Sequence, residues 1–411
     1  MTPMTARKAV AVFAVFAFAY FLSTLIRAIT ATLAPTLVAE FALNARDLGL
    51  LAGGYFLGFA ATQLPLGAWL DRFGPKSVIV GFLSIAVVGS VAFAQSDTFG
   101  GLLASRVLCG VGVSACLMAP LTGYRRWFEP ATLLRSNSWM LMVGAMGMVT
   151  STLPVQWLVP VVGWRPLFFT LAALFVVSMA LIFYLVPNWT PRKTDAVSDG
   201  VTGPHAPLGY GEIWRHPYFR KLVPLGFFNY GGMVAMQTLW AAPWMVKVSG
   251  FSPAQSATGL FEINVAMLLA FLAWGSANPA LARRGYSAER LITYGIPLTF
   301  VIIAIIVIAG PAISTGAALV WTLFCVASTV GALAQPAVGM AFRPELAGRA
   351  LSAYNLVIFS GVFSVQWGVG LLIDGFKALG WAEVSAYQGA MGVYGLCCVG
   401  AYAFFLLSKK T

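Results

Sequence analysis

Charge is what this chain has least of. Asp, Glu, Lys and Arg make up only 9% of its 411 residues, against about 25% in soluble domains. With 59% of residues hydrophobic, a soluble fold has nowhere to hide the apolar surface, and an integral membrane protein is expected. Histidine is nearly absent. His205 and His216 share one polar stretch, so no histidine site exists within the apolar segments. The five cysteines (Cys109, Cys116, Cys325, Cys397 and Cys398) lie inside apolar runs without metal-ligand spacing and read as small core residues. Paired carboxylates are missing from those runs as well. Hydrolytic and metal chemistry therefore lack their residues, and neither an enzyme nor a metal or cofactor is expected. The first apolar run continues past Arg27 with no cleavage site, as a membrane span does and a signal peptide does not.

What the chain does have is long apolar runs. Continuous stretches of about 20 residues indicate helices, because barrel strands would alternate over about 10. Twelve spans are expected near 9–37, 47–70, 77–95, 100–123, 136–161 and 165–187, then 219–246, 254–281, 289–309, 314–340, 350–375 and 386–408. The one long polar stretch, 188–218, separates six spans from six. The expected units are thus 1–187, a cytoplasmic linker at 188–218, and 219–411. With the N-terminus placed inside, nineteen Lys and Arg fall in cytoplasmic segments and four outside, with Arg27 and Arg106 within spans. That bias puts both termini in the cytoplasm. It also accounts for the formal charge of +12 without a nucleic-acid partner.

The two halves repeat. Ala34-Pro35 recurs as Ala242-Pro243 and Gly67 as Gly275, both 208 residues on. Phe128-x-Pro130-x4-Arg135 recurs as Phe342-x-Pro344-x4-Arg349, and Gly147 as Gly361, all 214 residues on. Between the second and third spans lies a charged, glycine-bounded turn, Gly67-Ala68-Trp69-Leu70-Asp71-Arg72-Phe73-Gly74-Pro75-Lys76. Its Gly-x3-Asp-Arg-x-Gly-x-Lys spacing resembles the signature between the second and third helices of major facilitator superfamily transporters. In the fourth span, Arg106-Val107-Leu108-Cys109-Gly110-Val111-Gly112 is similar to that superfamily's Arg-x3-Gly-x-Gly element. The resemblance implies an all-α membrane fold of two pseudo-symmetric six-helix bundles, a substrate site between them near mid-membrane, and a monomer. It makes Gly67, Asp71, Arg72, Gly74 and Lys76 gating residues. Gly67 would admit close helix approach and Gly74 a tight reversal. The second-half counterpart keeps Gly275 but has no acidic residue, so the cytoplasmic gate is expected to be asymmetric, with Asp71 holding the outward-open state. Arg106 is either part of the conformational machinery or a buried arginine tying neighbouring carbonyls together.

Charges inside a bilayer are costly and usually functional. Only Arg27, Arg106 and Glu262 qualify. Arg27 lies too deep to reach either surface easily, and its planar fork matches a carboxylate or phosphate. Anion transporters of the superfamily carry an arginine in the first helix, and this chain looks similar there. The equivalent position in span 7 is Ala235, so the paired arginine of the organophosphate pattern is missing, as are the span 2 and span 8 arginines of a nitrate porter. The competing role for Arg27 is purely structural. Tyr20, Tyr55, Trp139, Asn229, Gln237, Trp240, Asn355 and Gln366 are candidate wall residues, supplying a few polar groups within aromatic surroundings. Glu262, the carboxylate deepest in a span, is the candidate proton carrier. Alternatively it faces a water-filled vestibule, or pairs with an arginine. The leading expectation is a proton-coupled symporter for a small organic anion in the inner membrane. Efflux of amphipathic compounds ranks lower, because span 5 reads Gly144-Ala145-Met146-Gly147 without the Gly-Pro-x-x-Gly-Gly element of such antiporters. A non-transporting sensor on the same fold is the alternative from another class.

Overall fold

The computed structural model describes residues 4–189 and 210–408, and all regular structure among them is helical. His205 and most of the expected linker lie outside the described residues. The first half contains α1 (Ala6–Phe41), α2 (Ala45–Ala61), α3 (Gln63–Gln95), α4 (Phe99–Val113), α5 (Ala115–Trp127), α6 (Pro130–Thr150), α7 (Leu153–Val162) and α8 (Trp164–Leu185). The second contains α9 (Tyr210–Arg215), α10 (Pro217–Pro224), α11 (Gly231–Ala235), α12 (Ala241–Lys247), α13 (Pro253–Arg283), α14 (Ala288–Ala309), α15 (Ala317–Ser328), α16 (Ala334–Met340), α17 (Pro344–Ala378) and α18 (Glu383–Leu407).

Eight described segments are individually long and apolar enough to cross a membrane, and the α6–α7 pair, bent by 43°, makes a ninth. The twelve expected spans map onto the helices once their breaks are followed. Span 2 is split at Thr62 into α2 and the start of α3. Spans 9 and 10 share one run, broken where Gly310 and Ser314 take positive φ. Span 7 is interrupted by two π-helical stretches, Leu225–Tyr230 and Met236–Trp240. Such wide turns cluster at functional positions in helices.

Polar caps start the helices at the membrane surface. Asn44 accepts from the Asp47 N–H at 2.8 Å at the head of α2, and Thr98 accepts from the Gly101 N–H at 3.2 Å at the head of α4. The reversal within α3 is made by Gly74, whose φ of 77° suits only glycine, and a methyl there would overlap the Trp189 side chain.

In the orientation expected from the Lys and Arg distribution, the halves meet on the outer side. Gly49 of α2 lies so close to the Gln366 carbonyl of α17 that a methyl would overlap it, and Gly370 of α17 abuts the Ala45 carbonyl in the same way. The Asp374 carboxylate, near the outer end of α17, accepts the Arg46 N–H at 2.7 Å and the Ala45 N–H at 3.3 Å. A carboxylate from one half thereby caps a helix N-terminus of the other. On the opposite side, α17 also contacts the start of α3, and Tyr210 donates to the Leu64 carbonyl at 3.1 Å, so the halves touch there too. Met340, at the end of α16, is 78% exposed.

This arrangement corrects one expectation. A methyl on Gly67 would meet nothing within 4 Å, so that glycine mediates no close helix approach here, and Gly275 stands in the same open space. Arg72 stacks on the neighbouring Phe73 at 5.1 Å and Lys76 donates to Asn188 at 2.9 Å. Asp71 is exposed.

Candidate functional site

Arg27 sits fourteen residues from the outer end of α1, about 21 Å along the helix at 1.5 Å per residue. It is partly exposed, at the plane where the halves meet. Its guanidinium carbon lies 5.4 Å from the ring centre of Phe59, in the first half, and 5.8 Å from that of Phe359, in the second. These two rings touch each other at 4.4 Å between centroids. Cation–π contacts are worth about 0.5–2 kcal/mol each, so they offset only part of the cost of holding a charge away from water. Tyr55, Tyr20 and Tyr230 stand close enough to interact with the guanidinium electrostatically. The buried Nε of Arg27 has no partner, and no carboxylate among the described residues pairs with this arginine.

Behind Arg27 lies a fixed layer. Tyr55 is fully buried and donates to the Ser23 carbonyl at 3.3 Å. Arg106, also fully buried, lies 5.1 Å from the Tyr55 ring centre and donates to the Ile26 carbonyl at 3.0 Å. Arg106 thus bonds the residue preceding Arg27 and packs on the tyrosine that bonds the same helix at Ser23. It does not reach the plane between the halves. Its Nε and Nη2 are buried without partners. From the second half, Asn355 lies one helical turn from Phe359 on the same face of α17, and accepts from the Gln335 amide at 2.7 Å. Both are partly exposed.

Several candidate wall residues lie elsewhere. Gln237 donates to Asn264 at 2.8 Å, Trp240 to the Gln366 carbonyl at 3.0 Å, and the Gln366 amide to Thr238 at 3.0 Å. All are buried, so they seal the outer side rather than line a site. Asn229 faces the interior of the second half, with Thr299, Ser328 and Tyr394. Trp139 is 51% exposed near the cytoplasmic end of α6. Glu262 is exposed on α13, on the face that carries Thr258 and Leu269. The burial expected of a proton carrier is absent, and it forms no ion pair with Arg27 or Arg106. Of the proposed set, the structure gathers Arg27, Tyr20, Tyr55 and Asn355. It adds Phe59 and Phe359, which the sequence reading missed. Their signal was helical spacing, since each follows a polar candidate, Tyr55 or Asn355, by four residues.

Comparison with known proteins agrees with this architecture. The family model for the Major Facilitator Superfamily matches residues 16–366. The Escherichia coli (strain K12) inner membrane transport protein YajR is 29% identical over 241 residues, covering 56% of this chain and 48% of that protein. The putative multidrug resistance protein MdtD of Yersinia enterocolitica is 26% identical over 179 residues, covering 43% of this chain and 38% of that one. The 4-hydroxybenzoate transporter PcaK of Acinetobacter baylyi is 24% identical over 275 residues, covering 59% and 60%. The chain spans about half the length of the curated relatives it matches. Among solved structures, a D-xylose-proton symporter superposes with a TM-score of 0.77 at 15% identity, covering 98% of both chains, a likeness of fold.

Proposed function

Because the chain belongs to the major facilitator superfamily, we propose that it is a secondary transporter moving a small organic anion by alternating access, with Arg27 as the anion's ligand. One observation carries this reading. Arg27 is a partly exposed cation between the halves, with a buried, unpartnered Nε and no carboxylate partner among the described residues. A bound carboxylate completes its hydrogen bonding in the forked geometry an arginine favours. Arg106, through the Ile26 carbonyl, and Tyr55, through the Ser23 carbonyl, fix the α1 backbone that carries that fork. The aromatic rings supply the apolar wall, and Asn355 and Gln335 the polar contacts of the other half. The name of PcaK, an aromatic-acid transporter, supports an organic anion as cargo. The cluster around Arg27 contains no carboxylate, so protons accompany the anion on the substrate itself or through Glu262. An inner-membrane location and monomeric operation complete the proposal.

The test is a thermal-shift screen of the purified protein against carboxylates, sulfonates and phosphates. A ligand at one hundred times its Kd stabilises by about 2.7 kcal/mol. Arg27→Ala should abolish the stabilisation by the best anion, and Arg27→Lys should recover little of it. Unchanged stabilisation in Arg27→Ala would remove the arginine from the site.

A further inference from the structure

A second cavity lies apart from the Arg27 site, at the cytoplasmic end of the first half. Its volume is about 570 Å³, and its lining residues come from Met4 and α1, the end of α5, the following loop and the first half of α6. Phe13, Trp127 and Trp139 form aromatic walls, and Glu129, Arg135 and Ser136 supply polar groups. Glu129 and Arg135 carry opposite charges, yet no ion pair joins them to each other or to another described residue. Beside the cavity, Val10 and Trp139 are 66% and 51% exposed, each at the cytoplasmic start of an expected span. Those positions stand at the membrane interface, where tryptophan is favoured.

The internal repeat shows that the cavity is particular to this half. The counterpart of Phe128 is Phe342, whose ring packs against His216 at 4.6 Å and against the fully buried Phe219 at 6.4 Å. The residues equivalent to His216 and Phe219 in the first half are Lys8 and Ala11, so the space that rings fill in one half is left open in the other. Trp127 and Trp139 correspond to Ala341 and Ala353, and Glu129 to Arg343. The aromatic walls therefore occur once, and the position of Glu129 carries an arginine in the second half.

We propose that this cavity binds the headgroup of a cytoplasmic-leaflet phospholipid that carries both a phosphate and an ammonium, as phosphatidylethanolamine does. Arg135 takes the phosphate, by the same charge-assisted hydrogen bonding it would offer a carboxylate. Glu129 takes the ammonium, and the tryptophan faces add cation–π attraction. The acyl chains leave along the exposed surface at Val10 and Trp139. An anionic lipid without the ammonium would satisfy Arg135 and be repelled by Glu129, so the site distinguishes the two lipid types.

Native mass spectrometry of the delipidated full-length protein tests this, with phosphatidylethanolamine and phosphatidylglycerol of matched acyl chains. The wild type should prefer phosphatidylethanolamine several-fold. Arg135→Ala should weaken both lipids about tenfold. Glu129→Gln should bring the two lipids to near-equal binding. Ala9→Trp, which fills the cavity without touching either charge, should lose the preferred lipid. Glycerophosphoethanolamine, the same headgroup without acyl chains, should displace the lipid only at large excess. No preference in the wild type, wild-type behaviour in any of the three variants, or displacement by the soluble headgroup at equal concentration would overturn the assignment.

Discussion

Substituting Asp374 by Asn should shift the resting protein towards its outward-open form. The Asp374 carboxylate spans the halves, accepting backbone N–H groups of Arg46 and Ala45 at 2.7 and 3.3 Å. A carboxylate at a helix N-terminus contributes about 0.3–1 kcal/mol when exposed, and a hydrogen bond to a charged acceptor about 1.5–3 kcal/mol when protected from water. Asp374 is only partly buried, so the upper values are discounted for solvent screening. A net contribution of about 1.5–2 kcal/mol remains, roughly a 10–30-fold change in the ratio of the two states. The contact joins α17 to α2 across the halves, so opening the outer side must break it. The assay is electron–electron spin resonance between labels at Gly100 and Leu379, in a background without the native cysteines. Both positions lie at the outer surface, Gly100 facing open space and Leu379 75% exposed. Asp374→Asn should enlarge the long-distance population, and Asp374→Glu should retain most of the short one. An unchanged distance distribution in Asp374→Asn would refute the latch.

Two further outcomes are expected. Gly49→Val puts side-chain atoms into the Gln366 carbonyl, so it should prevent the outer side from closing and abolish transport. Anion-induced thermal stabilisation through Arg27 should survive in that variant, and continued transport would show that the glycine contact is dispensable. Glu262→Gln should uncouple uptake from a pH gradient in proteoliposomes while anion exchange continues, if the proton travels on Glu262. Unaltered proton-driven accumulation assigns the proton to the substrate.

Much of the architecture was legible because a bilayer leaves the chain few choices. Long uncharged runs must be helical there, and Lys and Arg counts orient them. The shared offsets of Ala34-Pro35, Gly67 and Phe128-x-Pro130 exposed the two halves. The site was only partly legible. Arg27 stood out because charge is rare in the spans. Gln237, Trp240 and Gln366 stood out as polar groups within spans, yet they bond Asn264, the Gln366 carbonyl and Thr238, all within the second half. A polar residue within a span announces that it needs a partner, but not whether that partner is another helix or a ligand. Asn229 turned inward because helix rotation within a bundle, which polarity alone does not specify, aims it at Thr299 and Ser328.

Composition and charge distribution were therefore enough to identify a helical membrane protein with two arginines, Arg27 and Arg106, within its spans. Those properties depend on the order of residues along each span. The tertiary structure decided what Arg27 meets, Phe59 from one half and Phe359 from the other. It also decided that Gly49 and Gly370 pack between the halves while a methyl on Gly67 would meet nothing within 4 Å. It brought Asp374, which the sequence reading had passed over, onto the backbone of the other half. These are contacts between helices far apart in the chain, set by the rotation and tilt at which whole bundles dock, and they change with the conformational state.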